Sequence, residues 1–150
     1  MNIKRSDALE FQLRVTKEKY SVGEPIEVIL VLKNRSDTPL TVNKRMGFNP
    51  GHMGEGSWEV RFNVTFPPGK RLVIGTLINP VSLEDDDFTI LAPGREISTI
   101  MTLTRFYWME LPGTYTVTAT YHNSDDGRRF GLSAWKGDIA SNPIHFKVTE

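Results

Sequence analysis

The chain has 150 residues, with 18 basic and 18 acidic side chains and no cysteine. This length suits one domain with a sizeable core, and the lack of cysteine excludes disulfides, thiolate metal sites and a cysteine nucleophile. We therefore predict one domain over residues 1–150. Because the charge is balanced and no apolar run approaches the length of a membrane span, we also predict no nucleic-acid partner and no membrane span.

Strands are predicted along the whole chain, without an amphipathic helix between them. The segment "LEFQLRV" alternates apolar and polar residues, as a half-buried strand does, whereas "IEVILVLK" is almost continuously apolar and indicates a central strand. Turns rich in Pro and Gly, such as "KYSVGEP", "PPGK" and "LAPG", separate the segments. The predicted strands are, in chain order, 9–15, 26–33, 40–44, 57–66, 71–78, 96–104, 113–122 and 144–148.

The segment "LPGTYTVTATY", residues 111–121, has the clearest strand pattern. One face carries threonines, and the other carries Tyr115, Val117, Ala119 and Tyr121. A tyrosine just inside a strand after a Pro-Gly turn is typical of the tyrosine corner, in which the hydroxyl binds an upstream backbone group. We therefore predict that the Tyr115 hydroxyl binds the preceding "MELPG" connection.

Many short strands separated by turns favour an antiparallel sandwich over a parallel sheet, which would need helices between its strands. We predict an all-β protein, an immunoglobulin-like antiparallel β-sandwich of seven or eight strands. The expected core residues include Leu13, Val28, Leu30, Phe62, Tyr115, Val117 and Phe146.

The succession "YSVGEPIEVILVLKN", "LAPG", "LPGTYTV" and "SNPIHFKV" resembles bacterial immunoglobulin-like modules over nearly the whole chain. It is similar to the intracellular proteinase inhibitor family and to the amino-terminal sandwich segment of deuterolysin-type metalloendopeptidases. The resemblance implies the sandwich fold much more than an activity, because its motifs are turn and core signatures. The chain departs from antibody-type domains in lacking their pair of cysteines.

Residues that could carry chemistry are few. His52, His122 and His145 are scattered without the spacing of zinc ligands, and neither a Gly-x-Ser-x-Gly elbow nor a phosphate-binding Gly-rich loop is present. The acidic run "EDDD", residues 84–87, lacks the alternating spacing of a calcium loop and is interpreted as solvated turn acids. We predict that the protein is not an enzyme and needs no cofactor or metal.

Two long segments, 47–57 and 123–142, are the predicted sites of recognition, because glycine frees the first to adopt its own shape and the second combines charge with aromatic rings. The candidate binding residues are Phe48, Asn49, His52 and Met53 in the first segment and Arg128, Arg129 and Trp135 in the second. A joint surface requires an even number of strands crossing the sandwich between the segments. Alternatively, Trp135 and Phe130 simply cover the end of the core.

These segments favour a non-catalytic binding or accessory module whose ligand is a protein or a polysaccharide. The alternative is a protease inhibitor that presents a loop from the same scaffold. For the inhibitor, "NPG" at 49–51 is faintly similar to the Asn-Pro loop of chagasin-type inhibitors, although their following threonines and Arg-Pro-Trp element are missing. The expected compartment is cytoplasmic if Met1 is the native start, and secreted or periplasmic if a leader was removed.

Overall fold

The computed structural model describes residues 8–47, 59–65 and 83–150. Within these residues the chain forms ten strands and three short 3-10 helices, at 85–87, 103–105 and 128–130. The strands are β1 Leu9–Val15, β2 Lys19–Ser21, β3 Glu27–Asn34, β4 Leu40–Asn43, β5 Val60–Thr65, β6 Phe88–Leu91, β7 Glu96–Thr102, β8 Gly113–Asn123, β9 Gly137–Ala140 and β10 Ile144–Thr149. The predicted strand 71–78 lies outside the described residues.

Two main sheets face a shared core. The first has the order β1-β3-β7 and is antiparallel throughout, with the apolar strand β3 at its centre as the sequence predicts. The second has the order β2-β10-β8-β5, and β9 also pairs with β8. Strands β4 and β6 form a separate antiparallel pair, which a bridge between Thr41 and Ala134 connects to the segment before β9. The all-β, immunoglobulin-like class is therefore confirmed.

The alternation of apolar and polar residues places the core correctly. Phe62 is only partly buried, because β5 is an edge strand whose single described neighbour is β8. The other predicted core residues are all buried, and they are Leu13, Val28, Leu30, Tyr115, Val117 and Phe146.

Three strands, β2, β6 and β9, are not among those predicted, so the described residues contain more strands than the seven or eight expected. Each of the three has only three or four residues, too few for alternation to show. Strand β2 lies in the segment interpreted as a turn, and it pairs in parallel with β10 from the other end of the chain. Strand β9 lies within 123–142, so that segment is not one continuous loop.

The predicted tyrosine corner is present. The Tyr115 hydroxyl donates a hydrogen bond to the carbonyl of Leu111 at 2.7 Å, within the "MELPG" connection. Its ring is fully buried and stacks on Phe146, with ring centres 5.5 Å apart. Burial raises the pKa of the Tyr115 hydroxyl, and the hydrogen bond to Leu111 offsets part of that shift. The turn glycine, Gly113, has a φ of 138°, which favours a residue without a β-carbon.

An asparagine between β9 and β10 ties the two sheets together. The Asn142 side-chain oxygen accepts a hydrogen bond from the Leu13 N–H at 3.0 Å, and its amide donates to the Leu13 carbonyl at 3.1 Å. Leu13 belongs to β1 in the first sheet, whereas Asn142 follows a strand of the second. The side chain thus makes the pair of hydrogen bonds that a neighbouring strand would make to β1.

Candidate functional site

The candidate site lies at the end of the sandwich where β8 finishes, and it begins with a buried group of polar side chains. The Tyr121 hydroxyl donates to the Asn43 carbonyl at 2.7 Å, and the Asn43 amide donates to the Asn123 side-chain oxygen at 3.1 Å. Burial, with the nearby charge of Glu59, raises the pKa of Tyr121 despite its hydrogen bond to Asn43. Since β4 ends at Asn43 and β8 ends at Asn123, these bonds join the ends of two strands.

A bidentate ion pair continues this group toward the first predicted loop. The Arg45 guanidinium donates to the two carboxylate oxygens of Glu59 at 2.8 and 2.7 Å, and the Gly47 N–H donates to the same carboxylate at 2.8 Å. Glu59 is buried, and its hydrogen bond holds the pKa of Arg45 above its ordinary value. Met46, between Arg45 and Gly47 in the chain, has a φ of 54°. This left-handed conformation is uncommon outside glycine, and the bonds of Arg45 and Gly47 to Glu59 hold it in place.

Both flanks of the first predicted recognition segment and the start of the second lie at one end of the sandwich. The Val60 N–H donates to the Gly47 carbonyl at 3.0 Å, so the chain on either side of the 48–58 stretch is joined. The His122 N–H donates to the Glu59 carbonyl at 2.6 Å, which places that junction beside the start of the 123–142 segment. Phe48, Asn49, His52 and Met53 lie outside the described residues, so their role and the joint surface stay predictions.

Of the two predicted arginines, Arg129 holds the second segment in shape. Its guanidinium donates to Asp125 at 2.5 Å and to the Leu83 carbonyl at 3.0 Å, and it lies 4.5 Å from the centre of the Phe130 ring. Burial by itself would raise the pKa of Asp125, but hydrogen bonds from Arg129 and the Gly127 N–H hold that pKa below its ordinary value. Arg129 thus connects this segment to the chain before β6.

Arg128 projects from the same end of the sandwich. Its side chain is 89% exposed, and its guanidinium lies 3.7 Å from the Asp126 carboxylate. The 3-10 helix that carries both arginines lies between Gly127 and Gly131, whose φ angles of 71° and 76° are left-handed. A β-carbon at Gly127 would lie only 3.0 Å from the Leu132 side chain, so a larger residue would displace this helix.

The structure contradicts the expectation that Trp135 is a binding residue. Its side chain is buried in the core cluster, with its ring centre 5.9 Å from that of Tyr121. Its backbone N–H donates to the Thr41 carbonyl at 2.8 Å, and its carbonyl accepts from the Asn123 amide at 2.6 Å. The alternative interpretation is correct for this residue, because Trp135 covers the end of the core and is not available to a ligand.

The sequence did not identify the residues that build this end. Alternation along the predicted strand 57–66 puts Glu59 on the polar face with Arg61, yet Glu59, just before β5, is buried and Arg61 is exposed. In the sequence, Arg45 lies between the predicted strand 40–44 and the predicted loop 47–57, and Asn43 and Asn123 are single polar residues near the ends of predicted strands. One available signal is the pairing of asparagines at the two strand ends, since asparagine supplies both a donor and an acceptor for exposed backbone groups.

Other residues with possible chemistry do not converge on this site. His122 Nδ1 lies 2.5 Å from an Asp138 carboxylate oxygen, and its Nε2 is buried with no hydrogen-bond partner among the residues that the structure describes. Three aspartates of the "EDDD" run, 85–87, form an exposed 3-10 helix. In the described ranges, no group of three or more His, Asp or Glu side chains is placed to hold a metal ion. A search of these same ranges finds no helix of the length and apolarity required to cross a bilayer.

The fold itself defines the class of the protein, which is an immunoglobulin-like β-sandwich module. No family model matches the chain, and no curated protein matches it. The resemblance to two protease-associated families therefore stays a prediction.

Several solved structures are similar at low identity. The CARDB domain of PF1109 from Pyrococcus furiosus is 13% identical, with 95% of this chain and 94% of that one covered and a TM-score of 0.43. The sporulation control protein Spo0M from Bacillus subtilis is 11% identical, with 95% and 50% covered and a TM-score of 0.46. Escherichia coli alpha-2-macroglobulin is 13% identical, with 93% and 16% covered and a TM-score of 0.45. Similarities this low do not assign a function.

Proposed function

We propose that the protein is a non-catalytic binding module that recognises a protein or polysaccharide with the loops at the Asn123 end of the sandwich. One observation carries this proposal. The chain on both sides of the 48–58 stretch and the start of the 123–142 segment are joined by one buried polar group. Its members are Asn43, Arg45, Glu59, Tyr121 and Asn123.

The free-energy cost of removing charged groups from water suggests that this polar group serves to position the loops more than to stabilise the fold. Glu59 is buried and its partner Arg45 is half-buried, and an ion pair removed from water in this way is often no more stabilising than apolar residues of the same volume, because its charges lose hydration. It does, however, hold the chain in one geometry through directional bonds. A loop whose base is rigid loses less conformational entropy when a ligand binds, so a frame of this kind increases affinity.

The exposed chemistry at this end suits a ligand rich in hydrogen-bond acceptors. Arg128 offers a largely free guanidinium, which donates in a planar fork to carboxylate, carbonyl or sugar oxygens. Its neighbour Arg129 is engaged with Asp125 and Leu83, so it fixes the platform from which Arg128 projects. We assign ligand contact to Arg128 and a positioning role to Arg129.

Site-specific photocrosslinking in a lysate of the native host tests the proposal. A photoreactive phenylalanine analogue replaces Arg128 in one variant and Val22 in a matched control, since Val22 is 40% exposed and follows β2 beside the end of β10, at the opposite end of the sandwich. We expect a discrete adduct from position 128 that the control does not form, and its loss when unlabelled protein competes. A glycan array probed with the same variants reports a polysaccharide ligand.

Two results distinguish the outcomes. Identical adducts from both positions, together with glycan binding that is indifferent to Arg128→Ser, would contradict recognition at this end. An adduct that proves to be a protease, with inhibition of that protease lost when residues 48–53 are replaced by a Gly-Ser stretch of equal length, would select the inhibitor alternative.

A further inference from the structure

Among the described residues, β1 is an edge strand, and one of its sides carries backbone groups that no other strand pairs. It pairs with β3 on one side, and within the described residues no strand pairs with its other side. The Leu13 N–H and carbonyl both bind Asn142, so they point away from β3. Because backbone groups alternate in direction along an antiparallel strand, those of Leu9, Phe11 and Val15 also point away from β3. Such an edge is a template for a further strand.

This free edge opens onto a groove between the two sheets. The groove has a volume of about 530 Å³ and is lined by residues 10–14 of β1 together with residues 139–142 at the end of β9. A strand placed along β1 would enter this groove and displace the Asn142 side chain, which reaches Leu13 from the groove's other wall.

The charges on β1 are complementary to those of a second β1 strand. The outward side chains of "LEFQLRV" run Glu10, Gln12, Arg14, with the amide midway between the opposite charges. In an antiparallel pair with Gln12 facing Gln12 of the second copy, Glu10 faces Arg14 of that copy, and Arg14 faces its Glu10. This arrangement has two-fold symmetry, as an isologous interface requires.

The hydrogen bonds agree with the same register. A pair centred on Gln12 brings Phe11 opposite Leu13 of the second copy, and these are residues whose backbone groups point to the free edge. Phe11 and Leu13 of the second copy therefore form a hydrogen-bonded pair. Glu10 faces Arg14 of the second copy in a non-hydrogen-bonded pair, where the two strands are closer and cross-strand side chains interact most strongly. A shift of one residue would place Glu10 opposite Leu13 of the second copy, so charge and backbone direction select one register.

We infer that a second copy of this chain docks on the β1 edge and joins the two three-stranded sheets β1-β3-β7 into one continuous sheet. Asn142 marks the place of the incoming strand, because its side chain makes the two bonds to Leu13 that the backbone of Phe11 of the second copy would make. The exchange replaces two hydrogen bonds by two of the same kind. Glu10 and Arg14 can change partners, because their side chains are 30% and 52% exposed and their bonds to Gln12, Arg35 and Glu96 lie at the surface.

Charge exchange at the two positions tests this inference by analytical ultracentrifugation over a concentration series. Wild type is expected to show a monomer–dimer equilibrium. Glu10→Arg places two arginines opposite each other on both sides of the axis, and Arg14→Glu does the same with glutamates. Each single variant is expected to weaken the dimer by about tenfold or more.

An equimolar mixture of the two single variants is the decisive sample. In the mixed pair, each arginine of one chain faces a glutamate of the other, so we expect a heterodimer of near wild-type affinity although each variant alone is largely monomeric. The double variant Glu10→Arg/Arg14→Glu is expected to restore the homodimer. Lys147→Glu, on the outer face of the second sheet, is the matched control and leaves the equilibrium unchanged, and circular dichroism melts confirm that every variant is folded.

Three outcomes would overturn the inference. The first is a wild-type protein that stays monomeric up to about 1 mM, an affinity too weak for a specific dimer. Another is a dimer that the two single variants leave intact, which would place the interface elsewhere. The last is a mixture that associates no better than its components.

Discussion

Tyr115 and Tyr121 occupy the same face of β8 at opposite ends of the sandwich, and they are held in different ways. Both are fully buried, and both hydroxyls donate to a backbone carbonyl at 2.7 Å. The acceptor of Tyr115 is four residues upstream, within one turn, whereas that of Tyr121 is Asn43, 78 residues away. One tyrosine therefore fastens a local corner, and the other belongs to a network that exists only after distant strands have met.

The two ends of the sandwich are therefore built by different interactions. The Tyr115 end closes the core with aromatic rings, one hydrogen bond and a turn. These interactions stabilise the sandwich without removing a charged group from water. The Tyr121 end pairs a buried glutamate with a half-buried arginine and holds together the chain on both sides of the 48–58 stretch. We expect the Tyr121 end to be the more sensitive to substitution, and four measurements test that difference.

The largest effect is expected from Arg45→Met, which leaves the buried Glu59 carboxylate with the Gly47 N–H but without its ion-pair partner. Removing one member of a buried pair costs about 3–5 kcal/mol, because the remaining charge is not compensated. Urea unfolding followed by tryptophan fluorescence gives the free energy of unfolding. The double variant Arg45→Met/Glu59→Leu, which removes both charges, should recover most of the loss, and a single variant as stable as wild type would refute the account of this end.

A smaller loss is expected from Tyr121→Phe. The substitution preserves the ring and leaves the buried Asn43 carbonyl without its donor. An unsatisfied buried acceptor costs about 1–3 kcal/mol. The same urea titration measures the change, and hydrogen exchange at the Arg45 and Gly47 amides reports whether the frame loosens. Unchanged protection at both amides would show that Tyr121 is not part of the frame.

Tyr115→Phe should cost less than Tyr121→Phe. Its acceptor, the Leu111 carbonyl, lies in a half-buried turn, where water can replace the lost hydroxyl. We expect a loss of about 0.5–1.5 kcal/mol, the net value of one hydrogen bond. The order of the two variants is the test, since a greater loss from Tyr115→Phe would reverse the assignment of local and long-range roles.

The smallest effect is a difference in alkaline stability. Burial raises the pKa of both hydroxyls in the folded protein, so the folded state keeps protons that the unfolded chain releases above about pH 10. Stability conferred by the shift is complete below that pH and is lost as the pH rises. At pH 10.5 Tyr121 should account for a loss of about 0.8 kcal/mol relative to pH 9. Raising the pH from 9 to 10.5 should lower the urea midpoint less in Tyr121→Phe than in Tyr115→Phe. An equal decrease in the two variants would contradict this expectation.

The features that the sequence predicted are those in which neighbouring residues decide the outcome. Alternation identified the buried face of β8, and the Pro-Gly turn before Tyr115 identified the corner and its acceptor segment. Alternation did not identify β2 and β9, because these strands are too short to alternate. Strand β2 also pairs with a strand from the far end of the chain. Trp135 shows the limit for side chains, because an aromatic residue in a long segment reads the same whether it covers a core or meets a ligand.

The all-β class, the central strand β3 and the corner at Tyr115 follow from the sequence alone, since each depends on the spacing of residues close together in the chain. Which polar residues are buried depends instead on tertiary contacts. Glu59 has the position of a solvent-facing strand residue, and it is buried because Arg45 compensates its charge across a loop. Tertiary contacts also place the flanks of the first predicted recognition segment beside the start of the second. That placement depends on how distant strands pair, and a local pattern contains no record of a pairing partner.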